Sequence, residues 1–303
     1  MYKILILMST YNGEGKIRKQ VESIMQQKDV DSYICIRDDG SNDETIEVIE
    51  DLAKEYSNKI FVMQENNVGW KQSFLQLIYA ADNIYDYYGF SDQDDVWFDN
   101  KIIDCIRLAE KDSYKGPQLI HCNSVSVTSD LKTRSEQENR IATPPSFEAA
   151  IATEYFQGCG MLWNKDAMNI IQKYKPFNKD IAHDYWVGLI CYLSGKIYFC
   201  EEPLFYHIRY ESNSSEDGNR NKGRIKRLKT LMRGEKAYMN PAEDLLAGYS
   251  EFLSNDEIAF LKDISDYKKD YLCKLRLLIN RKFVRPTLPA TLLLKLAICI
   301  NRF

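Results

Sequence analysis

Between residues 3 and 91 the chain alternates four short apolar runs with stretches of helical periodicity. That alternation restricts it to folds in which strands lie side by side under crossover helices. Residues 3–8 (Lys-Ile-Leu-Ile-Leu-Met) show no polar alternation, as a strand covered on both faces requires. After the turn Tyr11-Asn12-Gly13, residues 14–27 place Ile17, Val21, Ile24 and Met25 at helical spacing, and Tyr33 to Arg37 predicts a second strand. The pattern then predicts a helix near 43–56, a strand at Ile60 to Gln64, a helix near 70–82 and a strand at Tyr87 to Ser91. Right-handed crossovers turn this into a Rossmann-like, mostly parallel, doubly wound α/β sheet. Ligands of such sheets bind beyond the carboxyl ends of the strands. Each polar cluster falls at such an end: Ser9 to Asn12, Asp38-Asp39, Asn66 to Gly69, and Asp92 to Asp95.

A length of 303 residues accommodates one catalytic domain and an appendage. Hydrophobic residues at 45% and charged residues at 28% exclude a disordered chain. The eight cysteines include no C-x-x-C pair and mostly sit in apolar runs, which predicts reduced core thiols. The apolar run after Met1-Tyr2-Lys3 is too short for a secretory signal, so a cytoplasmic protein is expected. The net charge of −4 is uneven: residues 221–303 carry 17 Lys/Arg against 9 Asp/Glu, a net of +8, which leaves −12 on residues 1–220. An acidic domain repels phosphate, so nucleic acid is not expected as a partner, and a divalent cation would reconcile the domain with a phosphorylated ligand. Residues 129–146 predict a long exposed loop, and 211–224 a linker or flap. The expected division is a catalytic domain over 1–220 and a basic, helical region over 221–303.

Three carboxylates within four positions, Asp92, Asp94 and Asp95, follow the fourth strand. Such crowding is unfavourable unless solvent or a cation compensates, and hard cations such as Mn²⁺ or Mg²⁺ prefer oxygen ligands. A solvated acidic turn is the plainer reading. Together with Ser-Thr-Tyr-Asn-Gly at 9–13, Asp-Asp-Gly-Ser-x-Asp at 38–43, Asn67-Val68-Gly69, Ser-Asp-Gln-Asp-Asp-Val-Trp at 91–97 and His-Asp-Tyr-Trp at 183–186, it resembles family 2 of the inverting glycosyltransferases, of GT-A fold, over about residues 1–210. The motif variants look most like bacterial polysaccharide enzymes, including rhamnosyltransferases.

The resemblance implies that Ser9 and Tyr11 line a base pocket, that Asp39 accepts from a pyrimidine N3–H, and that Asp92 faces the ribose and sugar. Asn67 and Gly69 join this nucleotide-sugar set, and Asp94 holds the metal. Asp184 matches the family's acidic general base, with Gln157, Gly158 and His183 on the acceptor side. Read without the family, Asp38 to Ser41 is a turn before a helix, with Ser41 or Asn42 as the cap and Asp39 left free. Asp184 is then a stabiliser of a helix N-terminus. His121, beside Leu119-Ile120 and Cys122, reads as a core residue. Relatives carry Tyr-Arg-x-His where this chain has Tyr206-His207-Ile208-Arg209, so His207 is a candidate metal ligand and Arg209 a candidate diphosphate contact.

The activity implied is metal-dependent transfer of a sugar from a nucleotide diphosphate, such as dTDP-rhamnose or a UDP-sugar, to a hydroxyl of a glycan or of a polyprenyl-diphosphate-linked acceptor. A nucleotidyltransferase would want a more basic, Gly-rich first loop than Gly13, Gly15 and Lys16 provide. A non-catalytic nucleotide-sugar-binding subunit would not need Asp184. In the basic region, Lys222, Arg224, Lys226, Arg227, Lys229 and Arg233 interleave with Ile225, Leu228, Leu231 and Met232, and Leu288 to Ile300 is an apolar run interrupted by Lys295. This predicts peripheral contact with the inner face of a membrane, or packing on the catalytic domain or a second subunit in an oligomer.

Overall fold

A computed structural model describes residues 1–135, 143–209, 220–235 and 238–303. Residues 136–142 of the expected loop and 211–219 of the expected linker lie outside the described residues, and 220–224 of that linker begin a helix. The chain forms two compact units. The first comprises 1–143, 156–175 and 182–210; the second comprises 144–155, 176–181 and 211–303, so it takes in two segments that precede the expected boundary at 220/221.

The first unit is built on one nine-stranded sheet. Its strands are β1 (Tyr2–Thr10), β2 (Val30–Asp38), β3 (Ile60–Gln64), β4 (Tyr87–Ser91), β5 (Val96–Trp97), β6 (Gln118–Val127), β7 (Thr133–Ser135), β8 (Met161–Asn164) and β9 (Lys196–Ile208). They run in the order β3-β2-β1-β4-β8-β6-β9-β5, with β7 paired to β6. Ile4 to Met8 and all of β4 are buried, which is why these strands read as unbroken apolar runs. Helices Ile17–Met25, Thr45–Glu55 and Trp70–Ala80 supply the crossovers. Parallel pairing sets Thr10 beside Asp38 and Asp38 beside Gln64, so the loops that follow β1, β2 and β3 emerge side by side.

Beyond β4 the sheet is mixed. β8 runs antiparallel to both β4 and β6, β6 is parallel to β9, and β5 is antiparallel to β9. Because β8 runs against β4, the tight turn at 157–160 that precedes it is delivered to the carboxyl end of β4. Gly89 permits this approach, since a Cβ there would stand 3.0 Å from the Met161 carbonyl oxygen. The pairing of Val96 with Tyr206 likewise brings residues 207–208 against the acidic turn. His121 is buried in β6 between Phe156 and Phe199, as a core histidine.

The second unit is helical: Phe147–Ala152, Arg220–Met232, Ala242–Gly248, Asn255–Asp266, Tyr271–Ile279 and Leu288–Cys299. Helix 255–266 starts from a full capping box between Ser254 and Glu257. A chain of edge-to-face rings, Phe147 on Phe260, Phe260 on Phe283 and Phe283 on Phe303, forms its centre. The backbone N–H groups of Phe177 and Asn178 donate to the buried Asp244 carboxylate, which ties 176–181 into this unit. All eight cysteines are free thiols, and Cys299 is the exposed one.

Helix His183–Ser194 passes into β9 through Gly195, where a Cβ would meet the Pro117 carbonyl oxygen at 2.1 Å. The Lys196 N–H donates to that same carbonyl, so neither side can retreat without losing a ladder bond. Gly195→Ala is therefore expected to lower the unfolding free energy by roughly 1–3 kcal/mol or more, the cost of overpacking against backbone, measured as a shift of the urea midpoint at unchanged slope.

Candidate active site

The three loops after β1, β2 and β3 are tied by a buried ion pair. The Arg37 guanidinium donates to Asp39 Oδ1 at 2.6 Å, to Ser73 Oγ, to Gln76 Oε1 and to the Asn66 carbonyl oxygen. Ser73 in turn shares a 2.5 Å hydrogen bond with Ser9. Asp39 also accepts the N–H groups of Val68 and Gly69 at 2.9 Å, so it is an engaged carboxylate and not one left free of protein partners, as expected with Ser41 or Asn42 as the cap. Gly69 takes a φ of +81°, which favours glycine, and Asn67 is exposed beside it. Ser41 and Asn42 do not cap helix 45–55, contrary to the turn reading. Ser41 donates to Asp38 and accepts the Asn12 N–H, the Asn42 N–H donates to Asn12 Oδ1, and it is Asp43 that accepts the Thr45 N–H.

The first loop is also clamped from the acidic turn. Gln93 Oε1 accepts from Thr10 Oγ1 and from the Tyr11 N–H, while its amide donates to the Tyr11 carbonyl oxygen. A Cβ on Gly13 would lie 2.4 Å from Gln93 Oε1, so a larger residue there would displace the clamping amide. The clamp holds the Tyr11 backbone while its side chain stays exposed.

Around the acidic turn the carboxylates have distinct partners. Asp94 stands 3.5 Å from the Lys16 ammonium, and burial together with the charge of Asp92 raises its pKa. Asp95 is buried at 2% exposure, accepts the Ile208 N–H through Oδ1, and leaves Oδ2 without a hydrogen-bond partner. Burial pushes its pKa well above the usual carboxylate range. Asp92 accepts the Cys159 thiol at 2.9 Å, and ligand atoms of Asp92, Asp95 and Cys159 lie within 4.8 Å of one another. Burial also raises the Cys159 pKa, so this sulfur is a neutral thiol and the cluster presents oxygen ligands. An orphaned carboxylate oxygen among crowded carboxylates fits a hard divalent cation. The geometry thus gathers Asp92 and Asp95, with Asp94 beside them on the Lys16 side; sequence reasoning left Asp95 without a role. His207 accepts the Gln157 side-chain amide at 2.7 Å through Nδ1, and a proton on it favours the ionised forms of Asp94 and Asp95. Arg209 ends β9 with its N–H on the Val127 carbonyl oxygen.

The turn at 157–160 connects these carboxylates to Asp184. Its Gln157 reaches His207, its Cys159 reaches Asp92, and a Cβ on Gly158 would stand 2.9 Å from His183 Nε2 and 3.5 Å from Asp184 Cβ. Behind the turn, the buried Lys101 donates to the Cys159 carbonyl oxygen at 2.6 Å and lies over the Trp97 ring. Asp184 occupies the first turn of helix 183–194 and is half-buried. His183 stacks on Phe74 at 3.9 Å, with the edges of Phe90 and the exposed Trp70 against it. Sequence reasoning gave no role to Lys101 or Trp70, weighed Lys16 only as part of a triphosphate loop, and named Cys159 without a role of its own. Only the apolar context of Cys159 and the position of Trp70 directly after Gly69 were visible there.

The model of the family described as Glycosyl transferase family 2 matches residues 5–186. The chain belongs to glycosyltransferase family 2. This family 2 glycosyltransferase is 30% identical over 233 residues, 73% of its own length and 78% of the relative's, to a protein of Shigella flexneri named dTDP-rhamnosyl transferase RfbG. Its fold is similar to S. aureus TarS 1–349 in complex with UDP-GlcNAc, with a TM-score of 0.56 at 15% identity, covering 93% of this chain and 78% of that one. Against the longer TarS chain the likeness covers 92% of this chain and 46% of that one. It is also similar to the mannosyltransferase PcManGT of Pyrobaculum calidifontis, in complex with GDP-Man and Mn²⁺, with a TM-score of 0.50 at 14% identity, covering 99% and 80% of the two chains.

Burial pushes the pKa of His183 down to about 3 from an ordinary 6.5, so the imidazole of the folded enzyme is neutral. Below pH 6.5 the unfolded chain takes up a proton that the native state refuses. Stability present above that pH is therefore lost as pH falls toward 3, at up to about 1.4 kcal/mol per pH unit. His183→Phe removes this group and keeps an aromatic ring on Phe74. Urea midpoints at pH 7, 6 and 5 should show the parent losing stability relative to the variant; parallel pH profiles would mean that the histidine is not buried neutral.

Proposed function

We propose that this enzyme is a metal-dependent, inverting glycosyltransferase that moves a sugar, with dTDP-rhamnose or a UDP-sugar as donor, onto a hydroxyl of a glycan or polyprenyl-diphosphate-linked acceptor in surface polysaccharide synthesis. The observation that carries the reading is the turn at 157–160, which touches His207, Asp92 and the Asp184 helix through three consecutive residues. A donor-side carboxylate cluster and an acceptor-side base on one short segment are what single displacement requires. The similarity to a dTDP-rhamnosyl transferase favours the rhamnose donor.

In this reading Ser9, Tyr11 and Asp39 receive the base, with Asn67 and Gly69 on the same loops, and Asp92 faces the ribose and sugar. Arg209 contributes a cation toward the diphosphate. Asp94 with Asp92 and Asp95, and His207 behind them, would hold Mn²⁺ or Mg²⁺, whose chemistry is to neutralise the diphosphate of the donor. Asp184 accepts the proton of the acceptor hydroxyl as that oxygen bonds to the anomeric carbon. The bond from that carbon to the diphosphate oxygen breaks with its electron pair, the nucleoside diphosphate departs, and the configuration inverts. Gln157, Gly158 and His183 shape the acceptor side. His183 does so as a neutral, packed ring and leaves proton transfer to Asp184. The catalytic region is assigned to 1–220 and a basic helical region to 221–303, with the enzyme in the cytoplasm at the inner face of the membrane where lipid-linked acceptors are presented.

Two substitutions test the roles. Asp94→Ala is expected to abolish Mn²⁺-dependent binding of the nucleotide sugar in calorimetry with the far-UV spectrum unchanged; donor affinity equal to the parent's in Mn²⁺ would remove Asp94 from the metal site. Asp184→Asn is expected to keep donor binding and to lower turnover about 10²- to 10⁴-fold, the scale of a lost general base. Turnover within about threefold of the parent would leave Asp184 as a helix-terminus residue only.

A further inference from the structure

Three helices of the second unit, Arg220–Met232, Tyr271–Ile279 and Leu288–Cys299, each carry a stripe of exposed apolar side chains. The stripes are Ile225, Leu228 and Met232; Tyr271, Leu272, Leu275 and Ile279; and Leu288, Leu292, Leu296 and Ile300, every one between 40% and 79% exposed. Spacings of three and four place each set on one face of its helix, with Tyr271 beside Leu272 at the start of the second. Helix 288–299 packs beside both of the others, so the stripes belong to neighbouring helices. Single exposed leucines are ordinary on protein surfaces, but eleven on three adjacent helices are not.

The side chain that breaks the last apolar run in the sequence does not break it in space. Lys295 points back, and its ammonium donates to the carbonyl oxygens of Leu277 and Asn280 at the end of helix 271–279 while lying 5.1 Å over the Phe283 ring. That charge serves the orphaned carbonyls of a helix C-terminus. The outer face of helix 288–299 is left apolar from Leu288 to Ile300. Exposed cations flank the stripes: Lys226, Lys229 and Arg233 along the first helix, and Arg281 and Lys282 after the second.

We infer that this face is a docking surface for an anionic lipid bilayer, entered by the three stripes and held by the surrounding lysines and arginines. Charge decides between lipid and a second copy of the chain. A two-fold interface through this face would set like against like, basic helices of a +8 region on their own images. An anionic leaflet complements the same charge. Among the described residues no helix is long and apolar enough to cross a membrane, so the helices lie in the interfacial plane. The inference deepens the reading of a lipid-linked acceptor without depending on which sugar is transferred.

The test uses the full chain and co-sedimentation with vesicles of phosphatidylcholine alone or mixed with phosphatidylglycerol. Binding to the mixed vesicles is expected, weakening as salt rises, with Lys226→Gln and Lys229→Gln each lowering the partition about fivefold at low salt. The exposed pair Leu292→Glu and Leu296→Glu should lower it at least tenfold with the circular dichroism spectrum intact. Failure to bind anionic vesicles, equal partition of parent and glutamate variant, or a parent dimer that this variant dissolves would each overturn the inference. Release of nucleoside diphosphate from a nucleotide sugar in vesicle-free buffer reads the enzymatic assignment separately, because it needs the first unit's site and not this face.

Discussion

Crowding of negative charge at the end of β4 is the constraint around which the rest of the first unit is arranged. Three carboxylates in four residues are partly withdrawn from water, where uncompensated charge is costly. Each neighbouring element answers a different one: Lys16 from the first crossover helix faces Asp94, the Cys159 thiol reaches Asp92, and the Ile208 N–H reaches Asp95. Lys101 adds a buried cation behind the Cys159 carbonyl. One oxygen, Asp95 Oδ2, is left without a hydrogen-bond partner, which fits the cation proposed for this turn.

The loops after β2 and β3 depend on a second buried charge, but one already paired. Arg37 and Asp39 pair with each other and also engage Ser73, Gln76, the Asn66 carbonyl and the N–H groups of Val68 and Gly69. That network stiffens three loops before any ligand arrives, and preorganisation of this kind lowers the entropy lost on binding. The contrast is functional. The Arg37–Asp39 network is a paired charge, while the acidic turn keeps a carboxylate oxygen without a hydrogen-bond partner.

Periodicity made the first half of the sheet legible because β1 to β4 are parallel and joined in sequence order, and because β1 and β4 are buried on both faces, while the edge strand β3 exposes Phe61 and Val62 but is still an apolar run. Ile60–Gln64 and Tyr87–Ser91 coincide with their predicted bounds. The second half was illegible for physical reasons. β6 buries His121, Asn123, Ser124 and Ser126, polar residues that mask an apolar run, and β9 carries Glu201, Glu202 and Pro203 across an irregular pairing with β6. β8 is only four residues long and enters the sheet out of sequence order, between β4 and β6. No local pattern encodes such an insertion.

What the sequence by itself determined is the inventory of chemistry: strand ends bearing carboxylates and hydroxyls, one acidic residue opening a late helix, and a basic, apolar C-terminal region. These follow from residue type and short-range spacing, which periodicity reports directly. The tertiary structure alone decided which of them meet. The antiparallel run of β8 brings Gly158 against His183 and Asp184 and Cys159 against Asp92, over sequence separations that no motif spans. The tertiary structure also turned Lys295 inward onto the carbonyls of a neighbouring helix and left Leu288, Leu292 and Leu296 of its own helix facing out. Both outcomes rest on satisfying buried charge and backbone polarity, a condition imposed by three-dimensional neighbours and by no stretch of chain alone.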